Sequence, residues 1–143
     1  MTITFELSVD ILITLVYNIS VRRNNNLYEI IFYTTKAGES PVLNYLEQLA
    51  QTNGKDARIR LKKAQDYIEV LKQYGTTAGE PYIKHLDGDI WELRPMRDRV
   101  LFAGAIDGSF VLLHHFVKKT QKTPQREIEQ AKRELADYIE RSV

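Results

Sequence analysis

The 143-residue chain contains no cysteine. That one absence excludes a disulfide framework, a thiolate metal site, an iron–sulfur cluster and a thiol nucleophile. Net charge is also nearly missing: twenty Lys and Arg against nineteen Asp and Glu leave +1. Any surface for nucleic acid must therefore arise from local clustering. There is no phosphate-cradling glycine loop, no serine-elbow motif, no internal repeat and no low-complexity tract. The one apolar stretch that raises the question of targeting, Ile11 to Ile19, is too short for the ~20 residues of a membrane span. It follows Glu6 and Asp10 rather than positive charge, which speaks against an export signal. A cytoplasmic protein with no membrane partner is expected.

What remains is an ordinary soluble composition, 43% apolar and 27% charged. At roughly 100–200 residues per domain, the length indicates one domain. Residues 1–26 read as an N-terminal extension ending in the linker Arg22-Arg23-Asn24-Asn25-Asn26, and 27–143 as the domain. A second explanation stays open, a shorter product starting at or near Leu27 through a leucine-type start codon. Intact-mass analysis of protein from the native locus tests it.

Tyr28 to Thr34 is rich in strand formers, and Ser40-Pro41 reads as a serine cap with proline at the first helical position. Val42, Leu43, Leu46 and Leu49 recur at helical spacing, as do Ala57, Leu61, Ala64, Ile68 and Leu71 up to a stop at Gly75. The second helix carries Lys55, Arg58, Arg60, Lys62, Lys63 and Lys72 on its other face, which reads as a solvated surface before a binding one. Four short strands follow between Pro81 and Lys119, with turns at Asp87-Gly88-Asp89, Arg97-Asp98 and Asp107-Gly108. Thr123-Pro124 then caps a last helix with Ile128, Ala131, Leu135 and Ile139 as its stripe. The order is that of an α+β domain, a twisted, mainly antiparallel sheet with a helical hairpin and a C-terminal helix packed on one side.

Alternation along a strand places Trp91 and Leu93 on one face and Glu92 and Arg94 on the other. Trp91 is therefore expected in the core, and Glu92 and Arg94 on the less buried face, paired with each other or open to a ligand. Arg94, Arg97 and Arg99 flank a tight turn with only Asp98 against them, and the arginine fork suits phosphate oxygens. Lys118 to Arg126 holds four cations and no acid. It is either an inert solvated loop or, beside the arginines, one wall of a cationic groove. His114 and His115 point to opposite faces, so they cannot chelate one ion together, and no metal site is expected.

Three stretches carry a resemblance: Lys84-His-Leu-Asp-Gly-Asp-Ile-Trp-Glu-Leu-Arg-Pro95, Arg99-Val-Leu-Phe102, and Leu112-Leu-His-His-Phe-Val-Lys-Lys-Thr-Gln-Lys-Thr-Pro124. Together they resemble a HigB-like toxin of the RelE/ParE toxin superfamily, from about Tyr28 to Tyr138. The resemblance implies a RelE-like fold and the toxin of a type II toxin–antitoxin pair. It further implies a metal-independent, ribosome-dependent mRNA endoribonuclease that needs no cofactor. The implied partners are a helix-turn-helix, HigA-like antitoxin, the ribosome with its mRNA, and operator DNA indirectly through the antitoxin. Carried over by position, Arg94, Arg99 and Lys119 stabilise the phosphate and transition state, and Glu92 or His114 is the base. Lys84, Arg97, Lys118 and Lys122 contact RNA or ribosome. Glu92 stands where some relatives carry a cation. Two other readings stay open, a ParE-like gyrase-binding toxin and an inert antitoxin-binding remnant.

Overall fold

The first strand-forming run finds its partner far down the chain. In the computed structural model of the protein, which describes residues 27–104 and 107–142, β1 (Glu29–Phe32) runs parallel to β5 (Ser109–Val117). Ile30 lies opposite Phe110 and Phe32 opposite Leu112. β2 (Ile83–Asp87), β3 (Ile90–Leu93) and β4 (Asp98–Gly104) complete a five-stranded sheet of order β1-β5-β4-β3-β2, antiparallel except at the β1 edge. The reading of residues 1–26 as an extension, with a start at Leu27, falls outside the described residues.

The helical hairpin is α1 (Pro41–Gln51) and α2 (Lys55–Tyr74). Pro41 stands at the first turn of α1, but Ser40 makes no capping bond and its hydroxyl is buried without a partner. The fixed φ of proline therefore starts this helix, and the expected serine cap does not form. Gly75 ends α2 at φ +60°, where a Cβ would lie 2.8 Å from the Tyr28 ring. Gly75→Ala is expected to lose about 1–3 kcal/mol through backbone strain and that clash. A lowered urea midpoint at unchanged slope checks it.

Both faces of the sheet are covered. Along β4, Val100 and Phe102 join Val42, Leu46, Ala64 and Ile68 in the core beneath the hairpin. Leu101 and Ala103, pointing the other way, pack with Val111, Leu113 and Ala131 beneath α3 (Gln125–Arg141). The expectation of helices on one side is thus corrected. Leu101, Val111 and Leu113 left facing water would each forfeit about 1.5–3 kcal/mol, so a second cover is needed. Polar tethers add to it: the Tyr33 hydroxyl donates to Asp137 at 2.6 Å, and Lys132 pairs with Asp87 at 2.6 Å. Among the described residues no helix is long and apolar enough to cross a membrane.

Candidate functional site

Strand register assembles the site. Lys84 stands opposite Glu92, Glu92 opposite Leu101, and Leu101 opposite His114, so the four form a row across the sheet. Opposed residues of antiparallel strands share a face, and this is the face that α3 covers. Arg99, two positions before Leu101, falls on it as well. Glu92 was expected on the less buried face, yet it is only 3% exposed. The reason is the second helical layer.

Around this carboxylate the two expected arginines converge. Arg94 Nε lies 3.6 Å from Glu92 Oε2, and Arg99 Nε lies 3.9 Å from Oε1. Both distances are ion-pair contacts too long for hydrogen bonds. Arg94 also reaches Glu80 at 3.3 Å, while its buried Nε makes no hydrogen bond. Arg99 is 6% exposed and donates through one Nη to the carbonyls of Met96 and Asp98, each at 2.7 Å. Burial holds its pKa below the ordinary arginine value against the attraction of Glu92, and neighbouring Arg94 acts in the same direction as burial.

The basic segment after β5 is tethered at both ends. Lys118 N–H donates to the Arg97 carbonyl at 2.8 Å, and the Thr123 hydroxyl donates to Glu92 Oε1 at 2.5 Å. Thr123 was expected to cap the last helix. Pro124 occupies that position instead, and the hydroxyl serves the sheet. Among the described residues the side chains of Lys118, Lys119 and Lys122 form no ion pair. Lys119 lines a cleft of about 560 Å³ with Phe116, Val117, Thr120, Pro124, Arg126 and Glu127. Phe116 is directly opposite Arg99 in the β4–β5 register, so this cleft adjoins the arginine cluster.

Three expected residues take no part in the arginine cluster itself. Lys84 is exposed on β2, at the sheet edge. Arg97 turns away to Asp56 of α2, 2.8 Å distant. His114 lies under α3, with Nδ1 at 2.5 Å from Glu134 and Nε2 at 3.0 Å from Glu127. Burial opposes its charge, but hydrogen bonds and Coulombic attraction from Glu134 and then Glu127 outweigh it, and the pKa is raised. A raised folded pKa contributes stability that is complete below the unfolded value of about 6.5 and is lost as pH rises through the folded value. Faster amide exchange of α3 than of α1 as pH rises above neutrality is the expected result, and equal acceleration of both would count against it.

Residues assigned no site role from the sequence sit behind the arginines, and one of them, Arg60, corrects the expectation of a solvated helix face, since its side chain is only 16% exposed. Asp98 is fully buried and accepts both forks of Arg60, from Nη2 at 2.6 Å and Nε at 2.9 Å, as well as His115 Nε2 at 2.9 Å. The Tyr45 ring stacks on His115, centroids 3.6 Å apart, and its buried hydroxyl makes no hydrogen bond. Burial pushes that hydroxyl's pKa up, with Asp98 adding to the effect. Signals existed for two of them. Asp98 alternates with Val100 and Phe102 on the buried face, and Arg60 stands three residues after Ala57 and four before Ala64 on the apolar stripe.

Residues 53–136, more than half of the chain, match the family model described as "Phage derived protein Gp49-like (DUF891)". Among curated proteins none matches significantly. The matched span takes in α2, all four strands from β2 to β5 and most of α3, and so every side chain of the arginine cluster. With that coverage, the chain belongs to the phage-derived Gp49-like family.

Proposed function

We propose that this protein is the toxin of a toxin–antitoxin pair and acts as a metal-independent endoribonuclease on ribosome-bound mRNA. The observation that carries the reading is the convergence of Arg94 and Arg99 on one buried carboxylate with donor capacity unspent, above all the Arg94 Nε, which makes an ion-pair contact but no hydrogen bond. A scissile phosphate offers the acceptors those donors lack, and arginine holds phosphate oxygens through two parallel bonds. The loop that carries Lys118, Lys119 and Lys122 is fastened to the same carboxylate through Thr123. Family membership supports the toxin part of the reading.

In the proposed reaction a ribose 2′-hydroxyl attacks the adjacent phosphorus. Its proton passes to the base, the bond to the 5′-oxygen breaks, and that oxygen takes a proton from water, so that a 2′,3′-cyclic phosphate and a 5′-hydroxyl result. Arg94 and Arg99 carry the charge that develops on the phosphoryl oxygens, and Lys119 that on the leaving oxygen. We assign the base to Glu92 through Oε2, because Oε1 is engaged by Thr123. His114 is the weaker candidate, since two carboxylates favour its protonated form. Lys84, Lys118 and Lys122 are left to contact RNA or ribosome. Arg97 joins them only by releasing Asp56. A HigA-like helix-turn-helix antitoxin is the proposed partner, the cytoplasm the proposed place of action.

Induced expression in a bacterium with 5′-end mapping of cellular mRNA tests this. Cuts within codons of translated messages are expected. Growth arrest with intact mRNA would point to gyrase binding instead, and absence of arrest to a protein that only binds its antitoxin.

A further inference from the structure

The Pro95–Asp98 turn is gripped from behind by one helix. Asp56 and Arg60 lie four residues apart at the start of α2 and so share a helix face. Opposite them stand Arg97 and Asp98, consecutive residues of reversed charge order. Asp56 takes Arg97 at 2.8 Å, and Arg60 takes Asp98 through two bonds. His115 of β5 holds the same Asp98 carboxylate from the sheet side. Because that carboxylate is ionised and can only accept, the histidine donates to it through Nε2. The backbone is fastened as well, by Asp98 N–H to the Pro95 carbonyl at 3.0 Å and Lys118 N–H to the Arg97 carbonyl. Met96, between them, is held at φ +58°.

All of this fastening converges on two carbonyls, Met96 O and Asp98 O, and both accept from the same Nη of Arg99. We propose that α2 is a clamp, with Arg60 its principal jaw, which acts through Asp98 and the Met96–Asp98 turn as the positioning element of the Arg99 guanidinium. Among the described residues Arg60 makes no hydrogen bond or ion pair with Glu92 or the basic loop, so its polar link to the site runs through this turn. The functional consequence rests on the nuclease reading above; the mechanical one does not. An arginine so held presents its remaining donors, Nε and the second Nη, at a fixed place before a phosphate arrives, which is where preorganisation reduces the cost of charge stabilisation.

Solvent exchange of the Arg99 side-chain N–H groups, followed by NMR on the full ¹⁵N-labelled chain, reads the clamp directly. Arg60→Met should accelerate that exchange at least about tenfold, on the scale of one lost hydrogen bond. Arg60→Lys, which keeps the charge but lacks the fork, should fall between it and wild type. Lys62→Met, on the exposed face of the same helix, should change nothing. In ribosome-dependent cleavage, Arg60→Met should lower kcat with KM within about twofold, and Arg60→Lys should recover part of the loss. A folded Arg60→Met protein with wild-type protection of Arg99 would overturn the clamp. If Arg60→Met fails to fold, unchanged protection in Arg60→Lys overturns it equally. Arg99 loosened by Arg60→Met, together with a wild-type protein that cuts no RNA, would leave the clamp standing and sink the nuclease reading.

Discussion

Asp98→Ala is expected to remove about 3–5 kcal/mol of stability, the scale for deleting one partner of a buried charge network. Three groups lose their acceptor at once: both donor positions of the Arg60 fork and His115 Nε2. With marginal stabilities of about 5–15 kcal/mol, that loss brings the protein close to unfolding at physiological temperature. A second signature separates this cause from simple loss of packing. Burial works to raise the Asp98 pKa, but hydrogen bonds from His115 and Arg60 overcome it and lower the value to about 2. A depressed folded pKa contributes stability above the unfolded value of about 3.9, lost as pH falls through the folded one. The wild type should therefore weaken by about 2 kcal/mol between pH 4 and pH 2 more than the alanine variant does. Urea unfolding at both pH values measures it. A loss below about 1 kcal/mol at neutral pH would show that the network is close to neutral for stability.

On the proposed nuclease reading, Arg99→Ala carries the largest expected effect on function, a fall of about 10²–10³-fold in the rate of RNA cleavage. The variant should still fold and bind its antitoxin. Its structural cost is two carbonyls, Met96 O and Asp98 O, left without their donor, on the order of 1–3 kcal/mol each if no water replaces it. Arg99→Lys should not restore the rate, because one ammonium cannot both bind the two carbonyls and present a fork to phosphate. Single-turnover cleavage on programmed ribosomes, beside growth of cells expressing each variant, gives both readings. An Arg99→Ala protein as toxic as wild type would remove Arg99 from the chemistry.

Local patterning was a good guide to elements and a poor one to their partners. The start of α1 at Pro41, the end of α2 at Tyr74 before Gly75, and the meander from β2 to β5 follow from spacing and turn residues. The α+β class follows with them. The parallel docking of β1 on β5 does not, since nothing in the first strand's pattern names a partner some eighty residues away. The second helical layer was missed because alternating apolar residues in β4 and β5 read equally well as one buried face and one tolerant one. Misplacing that layer also misplaced Glu92. The irregular pairing between Leu101 and Phe102 of β4, where Leu113 is inserted in β5, lets Leu113 and His114 both face α3. No composition rule announces such a bulge. Within the site, residue types and the turn suggested Arg94, Arg99 and the basic loop. Thr123 on Glu92 and Arg60 on Asp98 bridge 31 and 38 residues, beyond the reach of periodicity.

The parallel edge also sets an order of events during synthesis. β1 leaves the ribosome first among the described strands but has no strand to pair with until β5 follows. The hairpin is in the same position, because its apolar faces close on Val100, Phe102, Phe110 and Leu112. Such long-range closure comes late in folding. Thr123 and the loop it fastens are made later still. A nascent chain therefore carries arginines but no assembled site. The arginine cluster is fastened only once the segment through Thr123 has been made.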